Sequence, residues 1–135
     1  MMKRVFTVVF IAISLSACHK QTFDDQVLAD VEHFNQKEAP KQLDPYTTFD
    51  SMAYDASNLT LTYFYTINAD VDASLFPTEQ ARNHLLDNLQ NSIQMKTYKE
   101  HGLNFRYLFI WHETGLPLLD CTFTPDDYNT RSTAK

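Results

Sequence analysis

Few residues in this chain combine a reactive side chain with a spacing that chemistry could use. Cys121 is one of two cysteines, and a nucleophilic role would pair it with His112 or His101. It alternates with Leu119 and Phe123 along an apolar segment, the setting of a small buried hydrophobe. An intermolecular disulfide is the alternative in an oxidising compartment. The histidines His19, His33, His84, His101 and His112 form no HxxxH or HxH pair, and no cysteine or acid completes a metal-ligand set around them. Asp70 with Asp72, and Asp126 with Asp127, could attract calcium, but the glycine and bidentate glutamate of a calcium loop are missing. No paired carboxylates stand out, and no nucleophile-elbow motif occurs. The sequence therefore predicts no catalytic residue, no metal, no cofactor and no enzyme.

Cys18 is a different case, because its surroundings are specific. Met1 to Arg4 carry two positive charges, and Val5 to Leu15 form an apolar run broken only by Thr7 and Ser14. That run is too short to span a bilayer, which takes about 20 residues, but it suits a secretory signal peptide. Leu15-Ser16-Ala17-Cys18 resembles the lipobox of bacterial lipoproteins. The resemblance implies a diacylglycerol thioether on Cys18, cleavage before it, and an acyl group such as palmitate on the new amino terminus. His19, where an aspartate would retain an enterobacterial lipoprotein at the inner membrane, implies export to the outer membrane, facing the periplasm. The expected organisation is a leader over 1–17, a lipidated tether over 18–21, one domain over 22–124 and a polar flexible tail over 125–135.

Composition narrows the remaining field. A chain of 135 residues suits one small domain, and 44% apolar residues suffice for a core. Two glycines argue against a phosphate-cradling loop, and two cysteines cannot staple a disulfide scaffold. Eleven basic against seventeen acidic side chains give a net charge of −6, which disfavours nucleic acid as a partner. Cleavage before Cys18 would remove two of those bases and no acid, leaving −8. Such a body is repelled by anionic lipid, so the acyl chains and not charge would hold it at a membrane.

The elements that must position any site follow from periodicity. Phe23, Val27, Val31 and Phe34 recur at helical spacing behind Thr22, Asp24 and Asp25, which predicts a helix over 22–37. Residues 39–45 read as a linker with two prolines. A weak strand over 47–54 and a strong one over 58–67 flank the turn at 55–58, forming a hairpin. After an acidic loop over 68–76, Ala81, Leu85, Leu89 and Ile93 predict a helix over 78–96. Strands over 103–112 and 116–124 form a second hairpin around Glu113-Thr114-Gly115. The expected fold is α+β: a four-stranded, mainly antiparallel sheet with two helices, in the order α-β-β-α-β-β.

The largest physical signal in the domain is aromatic. Tyr63 and Tyr65 share one face of their strand, and Phe105, Tyr107, Phe109 and Trp111 share one face of theirs. Most of these must be core. A subset left at the surface, with Tyr65, Tyr107 and Trp111 as the candidates, would suit a protein partner. The lipobox and the element order together resemble the sheet-containing pilotins of type II secretion. That resemblance implies a non-enzymatic, secretin-escorting module bound to an envelope protein. Those pilotins carry an internal disulfide, whereas Cys121 has no partner once Cys18 is acylated. A lipid-anchored immunity or exclusion protein, acting on a toxin or conjugation apparatus, is the alternative that an acidic body also fits. A binder of a small ligand between helix and sheet is the third reading. The sequence leaves oligomeric state open.

Overall fold

The computed structural model describes residues 20–70 and 72–130; the expected leader 1–17 and Cys18, the expected acylation site, lie outside the described residues. Helix α1 spans Phe23–Lys37 and begins with a capping box. The Thr22 hydroxyl accepts from the Asp25 N–H at 3.2 Å, and the Asp25 carboxylate accepts from the Thr22 N–H at 3.1 Å. Two donors that the helix itself cannot satisfy are thereby paired. Val27, Val31 and Phe34 form its buried stripe.

Five strands follow one another across a single sheet: β1 (Lys41–Gln42), β2 (Thr47–Asp55), β3 (Thr60–Ile67), β4 (Asn104–Trp111) and β5 (Pro117–Phe123). Both expected hairpins are present and antiparallel, β2 with β3 and β4 with β5. The fold is α+β, with two differences from the expected four-stranded sheet. The first is β1, two residues from the expected linker that pair with Phe49 and Thr48 of β2. The second is that β3 and β4 run parallel, so the sheet is mixed. The cause is the connection between them, a 3-10 turn (Ala73–Leu75), α2 (Thr78–Asn91) and α3 (Lys96–Glu100). This helical crossover returns the chain to the start of β3, so β4 must run beside it in the same direction.

The helix expected over 78–96 ends at Asn91. The Lys99 ammonium donates to the Leu89 and Gln90 carbonyls at 2.7 and 3.0 Å, giving the last turn of α2 partners outside the helix. Ile93, expected on the apolar stripe, lies past this end and is exposed. The expected flexible tail also begins differently. Pro125–Asn129 form α4, capped by Thr124 and Asp127 in a second capping box. It buries Tyr128, whose hydroxyl donates to the Leu103 carbonyl at 2.9 Å. Residues 131–135 of that tail lie outside the described residues. The core lies on the helix side of the sheet, centred on Leu61, Leu103, Phe105 and Phe123, all fully buried.

Four surface carboxylates make folding sensitive to acid. Asp44 accepts from the backbone N–H of Tyr46, Asp55 and Asp72 from Ser57 and Ser74, and Asp120 from both arms of the Arg106 guanidinium. These bonds hold all four carboxyl groups below their ordinary value. A depressed folded pKa contributes stability above the unfolded value of about 3.9, and that stability is lost as pH falls through the lower folded value. The thermal midpoint should therefore stay flat from neutrality to about pH 5 and fall below about pH 4. The fall should be modest, since exposed pairs contribute little. A midpoint unchanged at pH 2.5 would mean that the bonds are not held in solution.

Candidate functional site

The parallel register of β3 and β4 aligns Tyr63 with Tyr107, Tyr65 with Phe109 and Ile67 with Trp111. Alternation then puts all six on the face that the helices cover. Two rows of rings result. In the upper row, toward the ends of β3 and β4, Phe34 of α1 meets Phe49 of β2 at 4.3 Å, Phe49 meets Tyr65 at 4.8 Å, and Tyr65 meets Phe109 at 4.5 Å. In the lower row Tyr63 stacks on Tyr107 at 5.1 Å, and Tyr107 meets Phe123 of β5 at 5.8 Å. The Arg82 guanidinium of α2 lies 5.1 Å above the Phe123 ring. Offset contacts of this kind stabilise ring pairs by about 0.5–1.5 kcal/mol beyond their burial.

The two rows differ in depth. Helix α1 packs along β2 and α2 along β5, so the middle of each row lies between the helices. The lower row is closed by Met95, whose sulfur accepts from the Tyr63 hydroxyl at 3.4 Å. Tyr63 and Tyr107 are accordingly buried, at 4% and 7% exposure. Tyr107 is therefore core, which corrects its place among the expected partner contacts. Tyr65, Phe109 and Trp111 in the upper part stay half-buried.

Burial pushes the Tyr65 hydroxyl up to about 12, so it remains a neutral donor at physiological pH. It makes no hydrogen bond to a group among the described residues. The Trp111 indole N–H donates to the Ala69 carbonyl at 3.3 Å, which fixes the ring at the rim. Phe109 escaped the sequence analysis as a surface candidate, since alternation gives its face and not its depth.

The remaining sequence candidates stay apart. Cys121 is buried, and desolvation pushes its thiol up, the setting of an inert thiol. His101 stacks on Phe23 at 3.7 Å and bonds through Nδ1 to the Thr97 carbonyl; His112 is exposed, and neither bonds to Cys121. Among the described residues no three His, Cys, Asp or Glu side chains come together as a metal site.

One further feature escaped sequence reasoning. An open, mainly apolar depression of about 770 Å³ lies where β2 begins and β3 ends, lined by Asp44, Tyr46, Ile67, Ala69, Asp70 and Phe76 among others. Two connections build it, one entering β2 and one leaving β3, so no spacing in the sequence announces it.

Two solved structures share this fold. The chain is similar to a Pseudomonas aeruginosa protein described as secreted, with a TM-score of 0.64 at 14% identity, covering 76% of this chain and 89% of that one. It is also similar to the type II secretion system pilotin AspS of Vibrio cholerae, with a TM-score of 0.56 at 15% identity, covering 73% and 85% respectively. No curated protein matches the chain. A family does: residues 22–118, from the cap of α1 to the start of β5, match it. The chain belongs to the family described as a domain of unknown function, DUF8479.

Proposed function

We propose that this protein is a lipid-anchored periplasmic module, acylated at Cys18 and held at the outer membrane, that binds a protein partner without catalysis. The observation that carries the reading is that Tyr65, Phe109 and Trp111 remain half-buried while Tyr63 and Tyr107, one step lower on the same strands, are buried. Aromatic rings with few rotatable bonds and one donor hydroxyl are what a protein interface uses as anchors. The lipobox-like segment supports the envelope location, and likeness to a type II secretion pilotin supports a secretin or related envelope protein as the partner.

Photo-crosslinking in intact envelopes tests this. With the crosslinker at Tyr65, Phe109 or Trp111, one dominant protein adduct should form from at least two positions. A secretin in that adduct establishes escort; a toxin or a mating-apparatus protein turns the reading to self-protection. The absence of a specific adduct from all three positions would remove the aromatic row as a binding surface.

A further inference from the structure

We infer that the depression at the end of the sheet is a receptor for a basic side chain, lysine or arginine, carried by a partner polypeptide. Its walls offer what such a side chain needs. Ile67 and Ala69 can cover an aliphatic stem, the rings of Tyr46 and Phe76 can face a cation, and Asp44 and Asp70 supply opposite charge. No basic residue stands among the described residues that line it. The Asp44 carboxylate accepts from the N–H groups of Tyr46 and Thr47 at 2.8 Å each, which keeps it ionised and fixed. Tyr46 is 61% exposed, so its ring is open to an incoming group.

Position adds to the chemistry. Ile67 follows Tyr65 by two residues on the same face, about 7 Å along the strand. It pairs with Trp111, whose indole bonds to Ala69 in the wall of the depression. The depression thus continues the upper ring row, and a segment seated on those rings would bring an adjacent basic residue to it.

The start of α1 lies at the other end of the sheet, where Asp24 accepts from the Tyr54 hydroxyl at 2.7 Å. Tyr54 is near the end of β2, and Thr47, in the wall of the depression, begins that strand. Seven residues of strand separate the two by about 23 Å. The choice of a polypeptide over a lipid headgroup rests on the anchored reading above, because a short tether before α1 turns this depression away from the bilayer.

Trp111 is the only tryptophan in the chain and a direct reporter. The purified full chain would be titrated with acetyl-Leu-Lys-Leu-amide, acetyl-Leu-Arg-Leu-amide and the uncharged acetyl-Leu-norleucine-Leu-amide. The basic peptides should give a saturable change in Trp111 emission, at least about fivefold tighter than the norleucine peptide. D70N should erase most of that margin, and Y46A should weaken both basic peptides. Equal binding of the norleucine peptide, an unchanged D70N, or no saturation would overturn the inference. A response to phosphoethanolamine without one to the basic peptides would overturn it in favour of a headgroup. The titration needs neither a membrane nor the natural partner. Failure here leaves the crosslinking result standing, and failure of crosslinking leaves this one standing.

Discussion

Replacing Phe105 by alanine should lower the unfolding free energy by about 3–5 kcal/mol, read as a shift in the denaturant midpoint. Phe105 is fully buried near the start of β4. It pairs with Leu61 on one side and Phe123 on the other, and Tyr128 of α4 meets its ring edge-on at 5.6 Å. All three neighbours belong to different elements, so none can move into the vacated volume without giving up its own contacts. The loss is a large share of a stability of about 5–15 kcal/mol, and the variant should populate unfolded chain at physiological temperature. The adjacent R106A is the contrast. It removes an exposed pair with Asp120 on the uncovered face and should cost at most about 1 kcal/mol. Equal losses for the two variants would mean that the helix side of the sheet is not the packed one.

That contrast also shows what the sequence could convey. Alternation in β3 and β4 separates Phe105 from Arg106 and Tyr65 from Thr66 without any structure, because the period of a strand is two residues. The cap of α1 was equally legible, since Thr22, Asp24 and Asp25 act within one turn of backbone. Depth was not legible. Tyr65 and Tyr107 differ only in what lies above them, and Met95 reaches Tyr63 from 32 positions away. The early end of α2 has the same origin: Lys99 satisfies its last carbonyls after a turn that no helical periodicity encodes. The α4 helix could have been found, for Thr124-Pro125-Asp126-Asp127 is a capping sequence with proline in the first turn. Its polar composition hid the one buried residue, Tyr128. The parallel pairing of β3 with β4 needed the direction of the crossover, which strand patterns do not carry. The depression assembles residues 44–47 with 67–70 and 76, so it exists only once the two connections meet.

C18S should abolish fatty-acid labelling and move the protein from the membrane fraction to the soluble periplasm. Two or three acyl chains hold a protein stably, at about 0.8 kcal/mol for each buried methylene, whereas one chain binds only marginally. Among the described residues no helix is long and apolar enough to cross a membrane, and the net negative charge opposes adsorption to anionic lipid. The proposed leader complicates a simple fractionation, because a variant that keeps it could linger at the inner membrane through its apolar run. Intact mass separates the cases. A chain that begins at or near residue 18 and is soluble supports acylation of Cys18 as the anchor, as does a leader-bearing chain without fatty acid. A labelled C18S protein, or a processed one still in the membrane fraction, would sink that reading. With it would go the proposed orientation of the domain, in which a tether of about four residues, reaching roughly 14 Å at full extension, would hold α1 close to the bilayer and turn the far end of the sheet toward the periplasm.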